Sequence, residues 1–151
     1  MLCSAQFADL FYNSSAGRSK LQLVGNDMCF ACGKKNPIGL KLEFVAEADE
    51  YTSEIDIVEN YQGFAGIAHG GILATALDEI MARLLLARGY KAITAKLEIR
   101  FNKPVKVGEK LRLRARLLKE SHKLVETAAT ACLFDGTPVA EAKSVSMCLN
   151  G

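Results

Sequence analysis

Apolar residues recur along this chain with two periods, and the change between them marks its elements. Around Leu40 to Ala46, and again over Ser53 to Val58, apolar and polar positions alternate, which predicts two half-buried strands. Gly63 to Gly71 is a glycine-rich loop. From about Gly70 to Arg88 the spacing changes. Ile72, Leu73, Ala76, Leu77, Ile80, Met81, Leu84 and Leu85 form one wide apolar stripe, predicting a long, mostly buried helix. Gly89 is a natural stop, and Arg83 and Arg88 suit the negative end of the helix dipole. The period then returns to two. Ala95, Leu97, Ile99 and Phe101 alternate with Lys96, Glu98, Arg100 and Asn102, while Leu111, Leu113, Ala115 and Leu117 alternate with Arg112, Arg114 and Arg116. Lys123 to Phe134 and Val139 to Leu149 continue the pattern, parted by the turn residues Asp135-Gly136 and Pro138. Short connections imply antiparallel pairing. The reading is an α+β layer in which the helix stripe and the apolar face of the sheet bury each other. Ahead of it, Phe7, Leu10 and Phe11 carry a short helical pattern, followed by a loop-like Asn13 to Arg18.

Composition narrows the class. At 151 residues the chain has the length of one domain. A net charge of +2 is too small to argue for nucleic acid, yet it is compatible with an anionic ligand at one local site. Met1 to Phe11 lacks the basic start and apolar stretch of a signal peptide. Apolar runs such as Leu84 to Ala87 fall far short of the roughly 20 residues that cross a bilayer. The expectation is therefore a cytoplasmic protein with no membrane role, whose five cysteines are reduced thiols. Cys29 and Cys32 have metal-ligand spacing, but structural zinc normally takes four ligands and the sequence holds no second pair. A turn packed against the core is the simpler reading, with no metal or cofactor expected.

The residues from Tyr61 to Ala82, with His69-Gly70-Gly71 opening the helix and an acidic pair two turns in, resemble the signature of the PaaI-like branch of hot-dog-fold acyl-CoA thioesterases. Cys29 to Leu40 resembles a segment found in a subset of that family, and Ile93 to Leu97 through Phe101 to Pro104 resembles its strand after the helix. The likeness covers roughly residues 27–149, leaving an N-terminal extension of about 1–26 on a single domain spanning 1–151. It implies a hot-dog fold, a long central helix wrapped by a five- to six-stranded antiparallel sheet. It also implies a homodimer, or a dimer of dimers, with acyl-CoA bound at the subunit interface.

Hydrolysis of a thioester needs an activated nucleophile, a place for the oxyanion and a grip on the CoA moiety. A helix start offers the second, because its first N–H groups lack intrahelical partners. Gly70 and Gly71 sit there without side chains to block approach, although a glycine pair also simply permits a tight turn. A carboxylate within an apolar helix is costly to bury unless compensated. A helical wheel places Asp78 and Glu79 about equally far from the stripe centre on opposite sides, so periodicity leaves both open. The resemblance favours Asp78 as general base or nucleophile, with Glu79 as the alternative. It also gives Thr94 a part in holding the attacking water, and it draws the glycine amide and the carboxylate from different subunits. His69 is a candidate to orient a neighbour or touch the thioester. Gln62 is the amide nearest to the family's second oxyanion donor, although Gly63 and Phe64 depart from the pattern there. Arg100 and Lys103, with Lys106, Arg88 and Lys91, are candidate CoA phosphate ligands, the alternative being a solvated charged face. Two rival readings stand beside the thioesterase: a non-catalytic acyl-CoA-binding module, and a hot-dog hydratase, whose Asp-x-Asn-x-x-His arrangement is not seen here.

Overall fold

The computed structural model describes residues 25–149. The helical pattern expected at Phe7 to Phe11 lies outside them. In chain order the elements are β1 (Phe44–Glu47), β2 (Glu50–Asp56), a single 3-10 turn (Glu59–Tyr61), helix α1 (Gly70–Ala87), β3 (Ala92–Phe101), β4 (Lys110–Glu120), β5 (Leu124–Leu133) and β6 (Pro138–Cys148). The six strands form one antiparallel sheet in the order β1-β2-β4-β5-β6-β3.

The core lies between α1 and one face of this sheet. Leu73, Ala76, Leu77, Ile80, Met81, Leu84 and Leu85 are buried on the helix, which is the stripe the 3.6-residue period predicts. They meet Leu111, Leu113 and Ala115 of β4, Ala129 and Ala131 of β5, and Val139, Ala140 and Ala142 of β6. Alanine on the two central strands leaves room for the larger helix side chains. Gly89, at φ +85°, turns the chain out of the helix as expected of a left-handed C-terminal residue. Arg112 and Arg114 lie on the outer side, paired with Glu54 and Glu50 of β2.

Three sequence expectations shift. The strand foreseen from Leu40 begins only at Phe44. Leu40 and Leu42 are buried, but their N–H groups donate to Phe30 and Ala31 carbonyls at 2.8 and 3.0 Å, so this stretch pairs with the cysteine turn instead of the sheet. Lys41 between them takes φ 57°, a left-handed conformation that a regular strand excludes. Arg83 does not serve the helix end; it turns back to Glu79 and Cys32.

The third shift positions the site. Strict alternation along β3 puts Thr94 on the outer face with Lys96 and Glu98. The register with β6 instead passes from Thr94↔Ser146 to Lys96↔Val145, which leaves Ala95 as an extra residue. Such a bulge changes the phase of a strand by one position. Thr94 therefore faces the helix together with Leu97 and Ile99. Within the sheet β3 is a ten-residue edge strand.

Candidate active site

The helix start is built by His69. Its backbone is extended (φ −66°, ψ 132°), and its Nδ1 accepts the Gly71 N–H at 2.9 Å, a side-chain N-cap. The Gly71 amide is thereby occupied. Among the described residues, the Gly70 N–H has no acceptor. Close packing keeps this corner in shape: a Cβ on Gly71 would come within 2.9 Å of His69 Nδ1, and one on Gly63 within 3.2 Å of the His69 backbone. Gly63 thus stands where it does because the histidine rests against it. Gln62 is committed inside the same loop, its Nε2 donating to the Glu59 carbonyl at 2.9 Å while its Oε1 accepts from the Gly66 N–H.

Two turns along α1, Asp78 Oδ1 accepts a hydrogen bond from Thr94 Oγ1 at 2.9 Å. Both residues are half-buried. Burial holds the Asp78 carboxyl above the usual carboxylate range, and the Glu79 charge adds to the rise, while the Thr94 hydroxyl draws it back. A carboxylate kept basic by desolvation yet held in one orientation suits proton abstraction or nucleophilic attack.

Glu79 occupies the other flank of the helix. Its Oε1 accepts from Arg83 Nε at 2.8 Å and lies 4.0 Å from Cys29 Sγ. The two neighbouring carboxylates that the helical wheel could not separate are therefore divided by their partners: a β3 hydroxyl for Asp78, an arginine and two thiols for Glu79.

Arg100 and Lys103 bracket the far end of β3 from Thr94, and Lys106 follows in the loop. Arg88 and Lys91 lie at the opposite end of α1, where the Arg88 guanidinium donates to the Asp49 carbonyl. Tyr90, Lys91, Glu120, Ser121 and His122 there line an open groove of about 550 Å³. The five basic candidates thus form two groups within one chain. Sequence reasoning missed Phe101. Read as an inward-facing member of β3, it is half exposed, and its ring lies 3.4 Å from where a Gly70 Cβ would sit. No sequence signal marks it, since its contact with the helix start comes from its place at the last residue of β3, a tertiary contact that alternation does not encode.

One helix laid on a six-stranded antiparallel sheet is the hot-dog fold. The thioesterase superfamily profile matches residues 65–140, which span the loop, helix and most of the sheet, and the chain belongs to that family. Mouse acyl-coenzyme A thioesterase 13 is 31% identical over 87 residues, covering 56% of this chain and 62% of that protein. The chain thus spans less than two thirds of the curated relative it matches. A Streptococcus pneumoniae protein described as a hypothetical thioesterase, solved with coenzyme A, shares the fold at TM-score 0.67 and 19% identity, covering 71% of this chain and 84% of that one. The E. coli PaaI protein of the phenylacetic acid degradation operon shares it at TM-score 0.68 and 16% identity, over 72% and 83%.

Proposed function

We propose that this chain is an acyl-CoA thioesterase that releases free acid and CoA at a site shared between two copies of itself. The carrying observation is the Asp78–Thr94 hydrogen bond, which fixes a desolvated carboxylate beside an open strand edge. The relatives' names and the coenzyme A in the pneumococcal structure support the same substrate class.

Helix geometry supports the shared site. Gly70 and Asp78 lie eight residues apart on one helix, about 12 Å at 1.5 Å per residue. A nucleophile and an oxyanion donor must both come within about 3 Å of one reacting centre, so the two groups of a single chain cannot serve the same thioester. The edge strand offers the remedy. Thr94, which holds Asp78, and Phe101, which lies over Gly70, sit near opposite ends of β3. Antiparallel pairing of β3 with its symmetry copy, centred between Leu97 and Glu98, sets Thr94 of one protomer opposite Phe101 of the other. That isologous contact covers the ten-residue open edge and brings a Gly70 amide toward the partner's Asp78.

In this arrangement the Gly70 N–H donates to the thioester carbonyl and stabilises the developing oxyanion. Asp78 supplies the electron pair, by deprotonating water or by attacking the carbonyl carbon. Collapse of the tetrahedral species expels the CoA thiolate, which takes up a proton. Water attack gives the free acid directly, whereas attack by Asp78 leaves a mixed anhydride that a water then cleaves to the acid. Thr94 keeps the carboxylate aimed throughout. In this reading Arg100 and Lys103, near Phe101 in sequence, bind the CoA phosphates. The free thiols at Cys29, Cys32, Cys132 and Cys148 suit a reducing compartment, and we assign the cytoplasm as its place. Among the described residues no helix is long and apolar enough to cross a membrane.

The test is release of free thiol from a panel of acyl-CoAs by wild type and Asp78→Asn. The substitution removes the basic oxygen pair and is expected to cost at least about 100-fold, the usual scale for a general base. Turnover of the variant at the wild-type rate removes the assignment. Crotonyl-CoA hydration, measured in parallel, is expected to be absent.

A further inference from the structure

We propose that Cys29, Cys32 and Glu79 form a binding site for a zinc ion, fixing the N-terminal turn to the middle of α1. One thiol pair at metal-ligand spacing is a weak sign. The fold adds a third donor from a distant part of the chain. Cys29 Sγ, Cys32 Sγ and a Glu79 carboxylate oxygen all lie within 4.8 Å of one another, and all three residues are half-buried. A tetrahedral zinc with bonds of about 2.3 Å to sulfur and about 2.1 Å to oxygen holds its ligands roughly 3.5–3.8 Å apart. Closing the set takes side-chain movement of about an ångström.

The turn that carries the two thiols is over-determined. Gly33 N–H donates to the Cys29 carbonyl at 2.8 Å, Cys29 N–H to Asn26 at 3.0 Å, and Lys35 N–H to Asp27 at 3.0 Å. A Cβ on Gly33 would fall 2.3 Å from the Asp27 carbonyl and 2.6 Å from that of Cys29, so only glycine lets the chain close behind the sulfurs. Buried Asn36 pins the outer limb, its Nδ2 donating to the Met28 carbonyl at 3.0 Å and its Oδ1 accepting from the Ile38 N–H at 3.0 Å. Such bracing holds both sulfurs toward α1 and limits the entropy lost on binding.

Charge makes the cation fit. With both thiols protonated, Glu79 and Arg83 balance each other, at 2.8 Å. Arg83 also donates to Cys32 Sγ. Zinc binding replaces two thiol protons by one divalent ion: two R–SH and Zn²⁺ give Zn(SR)₂ and two H⁺. The cluster's net charge is the same before and after. Arg83 then acts as the outer partner of the anionic Cys₂Glu set, and water fills the fourth position from the solvent side. Because Glu79 adjoins Asp78, the ion clamps the stretch of helix that presents the candidate base. The site stands independently of thioester hydrolysis.

The experiment uses the full chain, stripped with chelator under reducing conditions and titrated with Co²⁺ and Zn²⁺. Expected are one Co²⁺ per chain with thiolate-to-cobalt charge-transfer absorption, release of close to two protons per ion, and displacement by Zn²⁺. Glu79→Gln should weaken binding at least about tenfold, and Cys29→Ser should abolish the absorption, while Cys132→Ser leaves it intact. Should the cysteine variant misfold, alkylation of the wild type read by peptide mass spectrometry decides the matter. Zn²⁺ should protect Cys29 and Cys32, but not Cys132 or Cys148, and chelator should reverse it. Equal labelling of Cys29 and Cys32 with and without Zn²⁺, or absence of charge transfer at stoichiometric Co²⁺, overturns the proposal.

Discussion

Replacing Gly70 by proline deletes the one amide on which oxyanion stabilisation rests, and the fold is prepared to accept it. Position 70 is the first residue of α1, where proline is tolerated because its missing N–H has no intrahelical acceptor. Residue 69 already has the extended backbone that a following proline requires. A Cβ at position 70 meets the Phe101 ring at 3.4 Å, an ordinary van der Waals contact. Folding stability should therefore stay within about 0.5 kcal/mol of wild type, as for a surface substitution that breaks no partner. Catalysis should not. Loss of a single oxyanion donor costs about 2.7–4 kcal/mol, or roughly 100- to 1,000-fold in kcat. Gly70→Ala is the matched control, since it adds the same Cβ and keeps the N–H. The assay is thiol release from the best acyl-CoA of the panel, with urea midpoints measured alongside. A proline variant within threefold of the alanine variant would refute the claim that this amide carries the oxyanion.

Further expectations concern the carboxylate and the buried hydroxyls. Thr94→Val removes the donor that favours ionised Asp78, so the acid limb of the kcat/KM profile should move to higher pH. A hydrogen bond to a charged group contributes about 1.5–3 kcal/mol; for this half-buried pair the low end applies, giving roughly tenfold lower activity on that limb and convergence at alkaline pH. Since burial raises the Asp78 pKa on folding, the folded state binds more protons there than the unfolded chain, and stability falls as pH rises above the ordinary aspartate range. Asp78→Asn should accordingly raise the melting temperature at pH 7 while abolishing turnover, and a lower melting temperature would contradict the burial cost. Thr127 Oγ1 is fully buried without a hydrogen-bond partner among the described residues, beside Ser144 on the neighbouring strand. Thr127→Val should be neutral or stabilising by about 1 kcal/mol in urea denaturation, and a loss larger than that would mean the hydroxyl is satisfied.

Periodicity carried most of the fold. The apolar stripe of α1 and the alternation of β4 to β6 are strong because one face of each element is buried along its whole length. Elements that depend on local irregularity were hidden. Leu40 and Leu42 look like a strand because they alternate with Lys41, yet their partner is the cysteine turn. Thr94 reads as an outward residue until the bulge at Ala95 turns it to the helix, and Phe101 is half exposed because it ends β3 beside the helix start. The choice of Asp78 over Glu79 as the candidate carboxylate rested on family resemblance alone. Asp78 and Glu79 differ by what faces them across tertiary contacts, Thr94 on one side and Arg83 with the thiols on the other, and no one-dimensional pattern holds that information. His69 shows a similar gap, since its capping of Gly71 depends on a ring orientation that the sequence does not encode locally.

Mixing two inactive variants gives the most direct test of the central claim. Gly70→Pro and Asp78→Asn each disable every site in their own dimer. If the amide and the carboxylate of one site come from different protomers, a mixed dimer contains one doubly damaged site and one intact site. Unfolding and refolding the two together at equal ratio makes half the dimers mixed, so activity should return to about a quarter of the wild-type rate. Activity that stays at the level of the separate variants, with exchange of subunits confirmed by mass spectrometry, would place both groups of each site in one chain and contradict the account.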